Sequence, residues 1–275
     1  MKRDTSVEDI EVELLLEGIF QRFGVDFRDF QRAKLKRKLH HLMQEMGITT
    51  ISALQNNVMH DSETSSALLR ALCVRPESSV SDNEYWDSLR TVLGSYLSSF
   101  PSPRIWMVEC ADAYEAGMLS IMLEEEQLGA HAQIFATSSN ETMVREARKG
   151  MLRESISSRP DESRLHVGIN ESLNRHFLQE DGRMVFGATV QNRITWSQFN
   201  LATDSTFNEF QLIVCRSALS DYGAFLKRRV LNLFHESLST FGILNVDGTS
   251  EIETAPFSTQ FRKLSLAGAW YKHIA

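Results

Sequence analysis

The chain has 275 residues, 42% of them hydrophobic and 24% charged, with 36 acidic against 29 basic residues for a net charge of -7. That is enough chain for one large domain or two modest ones, and the mildly acidic balance argues against coating nucleic acid as the main task. Cys73, Cys110 and Cys215 are widely spaced in apolar contexts with no CxxC pair. A disulfide framework or zinc site is therefore not expected, and a reducing compartment is. The opening residues are too polar and acidic for a signal peptide, and no apolar run reaches membrane-spanning length. The expectation is a soluble cytoplasmic protein with no membrane partner.

Residues 8–100 read as helical. Val12, Leu15, Leu16, Ile19, Phe20 and Phe23 recur at helical spacing. Residues 30–46 form a second amphipathic segment with Leu35, Leu39, Leu42 and Met46 on its apolar face. Shorter helices are expected at 51–58 and 66–73, and another at 82–96, before the Ser/Pro punctuation at 98–103. The pattern then changes. Strands are expected at 104–110, 132–137, 184–189, 193–199, 209–215 and 243–246, and helices at 113–128, 141–150 and 224–238. Residues 151–182 look irregular and polar. Strand alternating with helix implies a mostly parallel, doubly wound sheet. The predicted architecture is a small all-helical domain over 1–97, then an α/β domain over 98–275 with a small β insertion at about 151–192.

The most informative stretch runs from Ile105 to Ala116. Its strand, tight loop and helix start form the usual seat of a nucleotide-type cofactor in an α/β protein. Yet the loop holds no glycine before the helix and carries Glu109 where close backbone approach favours a residue without a side chain.

Several segments together resemble the CheR-type chemotaxis receptor methyltransferases. Gly24-Val25-Asp26-Phe27 and the Lys34 to Leu39 run are similar to that family's N-terminal helical domain. Ile105-Trp106 opens the first strand, with Cys110 and Glu115 in place in the loop. Ala136 to Asn140, followed by Ala147-Arg148-Lys149-Gly150, is similar to the second strand and helix. Asn200-Leu201, the run from Phe210 to Arg216, Gly242 and Ser250-Glu251 complete a resemblance that spans about residues 15–272. It implies a class I methyltransferase sheet, S-adenosylmethionine as cofactor and receptor glutamates as methyl acceptors.

By the same resemblance, the cofactor positions are mostly altered. The family's first loop has small residues where this chain has Glu109 and Ala113, and a glutamate where it has Tyr114. The second-strand aspartate that would receive ribose hydroxyls is Ser138. The arginine near the methyl-transfer centre is Ser81, the asparagine after Cys215-Arg216 is Ser217, and a tyrosine four residues on is Asp221. Asn200, Leu201 and Arg216 are retained. A carboxylate at Glu109 about 4 Å from the cofactor's own would cost about 4 kcal/mol at an effective dielectric near 20. Unpaired ribose hydroxyls would add roughly 1–3 kcal/mol. The expected reading is thus a non-catalytic binding or regulatory module in bacterial signalling, with no catalytic or metal-binding residues and no cofactor bound in the usual way. The alternative is an active protein-glutamate methyltransferase with a diverged pocket.

The remaining signal is charge. Arg32, Lys34, Lys36, Arg37 and Lys38 crowd the second helix, with Arg22 and Arg28 nearby. A solvated face is the bland reading; a dock for an acidic receptor or signalling protein is the functional one. A small-molecule or nucleotide ligand stays open, and nucleic acid is not expected. Cys110 and Cys215 are expected to be buried inert thiols, His40 and His41 surface residues without a metal, and Asp112 and Glu115 solvated loop acids.

Overall fold

The computed structural model describes residues 6–73, 83–152, 173–216, 218–246 and 250–274. Contacts divide the chain into two units, residues 1–74 with 221–229, and residues 75–220 with 230–275.

The first unit contains helices α1 (Val7–Phe23), α2 (Arg32–Met46), α3 (Ile51–His60) and α4 (Ser62–Cys73). Their ends follow local chemistry. Ser6 caps α1 by accepting from the Asp9 N–H, and Gly24 ends it in the left-handed conformation (φ 71). Thr50 caps α3, and Gly47 at φ 65 ends α2. The core is Val12, Leu15, Leu16, Ile19, Leu35, Leu39, Leu54, Val58 and Leu68, each at most 2% exposed. Met46, expected on the apolar face of α2, is 36% exposed because the helix ends there, and Met43 is buried in the last turn instead.

The second unit begins with α5 (Asn83–Ser95). The sequence pattern grouped this helix with the domain ending at 97. Contacts group it with the sheet, because Tyr85, Trp86, Leu89 and Leu93 share one apolar cluster with Ile105, Met107, Tyr114 and Trp270. Then follow β1 (Arg104–Met107), α6 (Tyr114–Glu125), β2 (Gln133–Ser138) and α7 (Glu141–Arg148). A hairpin of β3 (Phe177–Glu180) and β4 (Arg183–Phe186) forms a separate two-stranded sheet. β4 stops short of the strand expected to reach 189; Gly187 instead opens a single helical turn, Ala188–Gln191. The unit closes with β5 (Ile194–Gln198), β6 (Phe210–Cys215), the helix α8 (Ala224–Ser237), which starts in the first unit, β7 (Leu238–Val246), β8 (Phe261–Lys263) and β9 (Trp270–His273).

The large sheet has seven strands in the order β5-β2-β1-β6-β7-β9-β8. β1, β2, β5, β6 and β7 pair in parallel, and β9 is antiparallel to β7. Parallel strands covered on both faces read as continuous apolar runs, and Ile105, Trp106 and Met107 are at most 1% exposed. From β1 the chain winds outward to β2 and β5, then returns to the other side of β1 as β6. That reversal puts the switch point between β1 and β6, where a ligand crevice opens at the carboxyl ends of the strands.

Candidate functional site

The loop after β1 is held by both neighbouring strands. Val108 N–H donates to the Val214 carbonyl (2.9 Å) on β6, and Cys110 N–H donates to the Thr137 carbonyl (2.8 Å) on β2. Between them Glu109 sits at φ 53. That left-handed region is unusual for a residue with a side chain and is where glycine is at ease. Glu109 is only 8% exposed. Its Oε2 accepts from the Ser139 hydroxyl at 3.1 Å and lies 3.5 Å from the Ser139 backbone N–H. The carboxylate thus reaches from the end of β1 to the end of β2.

The rest of the loop is also tied down. Asp112 Oδ1 accepts from the Tyr114 N–H (2.7 Å), an Asx-type turn leading into α6, rather than being merely solvated. Glu115 Oε1 lies 3.5 Å from Arg216 Nη1, an ion pair from the first turn of α6 to the residue after β6. The Arg216 side chain is 9% exposed, and its guanidinium carbon stands 3.5 Å from the centre of the Tyr85 ring, a cation–π stack. Tyr85 stacks on Trp270 and meets Trp86 edge-on, and Trp86 in turn meets Tyr114 edge-on. Tyr114 is 1% exposed. Burial pushes the Cys110 thiol well up, helped by the carboxylates of Glu115, Asp112 and Glu109, which leaves it a protonated, unreactive group at neutral pH.

On the second and fifth strands the candidate residues serve local structure. Ser138 is 1% exposed and its hydroxyl accepts from the Asn140 N–H (3.4 Å). Asn140 caps α7 through the Met143 N–H (3.1 Å). Asn200 Oδ1 accepts from the Ala202 N–H (3.0 Å), forming a turn just after β5, and Leu201 is buried in it. Glu109, Tyr114, Glu115, Ser138, Asn200, Leu201 and Arg216 therefore gather at one edge of the sheet, the carboxyl ends of β1, β2, β5 and β6. Ser81 and Ser217 lie outside the described residues. Sequence reading missed Tyr85, Trp86 and Ser139. The Tyr-Trp doublet is visible in the chain, but nothing local says that it packs on Arg216 and Tyr114.

The basic helix carries more acid than its own sequence suggests. Lys36 pairs with Asp9 at 2.6 Å and Glu8 at 3.3 Å, both from α1. Lys36 and the Ser6 hydroxyl together lower the Asp9 carboxyl to about 2. Lys38 and Lys34 meet Asp221 at 2.9 and 3.4 Å. Arg28 pairs with Asp26 and Glu17. Arg32 and Arg37 are exposed. An open groove of about 620 Å³ along this face is lined by Ala33, Lys36, Arg37, His40, His41 and Gln44. Among the described residues no cluster of three or more His, Cys, Asp or Glu could hold a metal, and no helix is long and apolar enough to cross a membrane.

A seven-stranded, mostly parallel sheet with an antiparallel β9, preceded by an all-helical unit, is the architecture of a class I methyltransferase with an added helical domain. Residues 10–73 match the family "CheR methyltransferase, all-alpha domain" and residues 78–267 match "CheR methyltransferase, SAM binding domain". The chain belongs to the CheR methyltransferase family, whose members depend on S-adenosylmethionine. It is 29% identical to the "Putative methyltransferase Cher3" of Pseudomonas putida, over 93% of this chain and 94% of that one. It is 22% identical to the "Chemotaxis protein methyltransferase" of Listeria monocytogenes, over 90% of this chain and 92% of that one. A more distant likeness is the N-methyltransferase NodS from Bradyrhizobium japonicum, at 11% identity and a TM-score of 0.43, covering 81% of this chain and 97% of that one.

Proposed function

We propose that this CheR-family chain is a non-catalytic binding or regulatory module in bacterial signalling that does not bind S-adenosylmethionine in the family's usual way. The observation that carries this reading is Glu109: a buried carboxylate, held at φ 53, directed from the end of β1 onto Ser139. A carboxylate in that crevice takes room that a cofactor needs and repels the cofactor's own carboxylate. The neighbouring polar groups do not compensate. Glu115 is engaged by Arg216, Asn200 by its own turn, and Ser138 by the Asn140 amide. The residues present do not fit the cofactor, and no chemical step is assigned to the site. The retained framework then serves docking, with an acidic receptor or signalling protein as partner for the exposed cations of α2.

One observation favours the rival reading. The Glu109 carboxylate ends beside Ser138 and Ser139, close to where the resemblance places the ribose-binding aspartate. If Glu109 replaces that aspartate from a neighbouring strand, the chain is an active protein-glutamate methyltransferase. Incubating the purified protein with methyl-labelled S-adenosylmethionine and cell lysate separates the two. The proposal expects no base-labile label on any protein above a heat-killed control; labelled protein carboxyls would contradict it.

A further inference from the structure

The outer end of the large sheet, β7-β9-β8, carries a surface that the crevice beside β1 does not use. β7 bulges near its start, because Phe210 pairs with Leu238 but Leu212 pairs with Ile243. Phe241 lies in that bulge at φ 67, a left-handed backbone that side chains rarely adopt, and is 57% exposed. The turn is tight, since a Cβ on Gly242 would stand 2.9 Å from the Ser239 carbonyl oxygen. A large apolar ring here bears backbone strain without the return that burial would give.

Two cations stand beside it. Lys272 on β9 is directly opposite Arg262 on β8, and residues so paired share one face of an antiparallel sheet. Neither forms an ion pair among the described residues, whereas Lys263 next door reaches Glu253 at 3.6 Å. Lys272 Nζ instead rests 5.4 Å from the centres of both the Phe241 and the Tyr96 rings. Like charges directly opposite one another destabilise a sheet, so an anion set between them relieves the pair. The Ile274 N–H still donates to the Gln260 carbonyl (2.8 Å), and alternation along β9 puts Ile274, 44% exposed, on the side of Lys272.

We propose that this face docks a segment of a partner protein in which a carboxylate adjoins an aromatic or aliphatic side chain. The carboxylate bridges Arg262 and Lys272, and the apolar side chain lies against Phe241 and Ile274. Charge complementarity selects this occupant. A second copy of the chain, related by a two-fold axis, would bring the same cations to the interface with no acid to meet them. An anionic bilayer would have to hold a chain of net charge -7 through two cations. The inference does not depend on whether the crevice at Glu109 takes S-adenosylmethionine.

The test titrates the full chain into a fluorescein-labelled peptide, Gly-Asp-Phe-Glu-Leu-Gly, at one salt concentration and follows the anisotropy. The wild type is expected to bind, and joint replacement by Arg262→Gln and Lys272→Gln to weaken binding about tenfold. Phe241→Gly is expected to weaken it by a similar factor while melting no lower than the wild type, because glycine relieves the left-handed backbone. A lower Tm for Phe241→Gly would show that the ring serves the fold, and would overturn the proposal. So would no binding by the wild type, or affinity unchanged in the variants, which would place the peptide elsewhere, such as on α2. Two further results would contradict it by naming another occupant. One is binding to phosphatidylglycerol vesicles but not to the peptide; the other is a wild-type dimer in sedimentation that Phe241→Gly abolishes.

Discussion

At the scale of single residues, the site turns on Glu109. A left-handed backbone costs a residue with a Cβ about 1–2 kcal/mol relative to glycine, and Glu109 bears that cost at φ 53 while buried. The hydrogen bond to Ser139 and the amides on either side hold it there. Two substitutions read its role in opposite directions. If Glu109 fills the crevice, Glu109→Gly removes carboxylate and strain together, and S-adenosylhomocysteine binding should become detectable where the wild type shows none. If Glu109 instead receives ribose, the wild type binds and Glu109→Gln weakens it by roughly tenfold, the value of one charged hydrogen bond. Equilibrium binding on the three proteins distinguishes these outcomes. The absence of glycine before the α6 helix was legible in the sequence. The destination of the side chain was not, because Ser139 lies 30 residues away on another strand.

At the scale of elements, periodicity located most helices and parallel strands, since each writes its burial into its own residues. It failed where an element's partner decides its identity. α5 has an ordinary amphipathic pattern, and only Trp86 against Tyr114 and Tyr85 against Trp270 assign it to the sheet. β8 and β9 are three and four residues long, too short for alternation to stand out. The join between α6 and the β3–β4 hairpin was equally hidden. A Cβ on Gly117 would run into the Phe186 ring, and Phe186 is itself stacked on Phe177 at 4.7 Å. Helix propensity alone predicts that Gly117→Ala stabilises by about 1 kcal/mol. Overpacking against Phe186 reverses the sign, so a net loss of about 1–3 kcal/mol is expected. Urea denaturation measures it, and a gain in stability would show that the ring gives way freely.

At the scale of the whole molecule, the sequence predicted a helical unit followed by a doubly wound sheet, and that is the observed organisation. What it concealed is that residues 221–229 return to the helical unit after the sheet has begun. The cause is a set of contacts remote in sequence, Asp29 with Gly223 and Leu226, and Lys38 with Asp221, 183 positions apart. The same remoteness makes α2 look richer in unpaired charge on paper than it is, since its acids come from α1 and from position 221. On the proposed reading, the family's framework stands around Glu109, Glu115, Ser138 and Asn200, whose side chains bond within the protein and leave the cofactor unbound. The most direct measurement of that claim is isothermal titration of S-adenosylmethionine and S-adenosylhomocysteine into the wild-type protein. The account predicts no binding in the micromolar range for either compound; micromolar binding of either would contradict it.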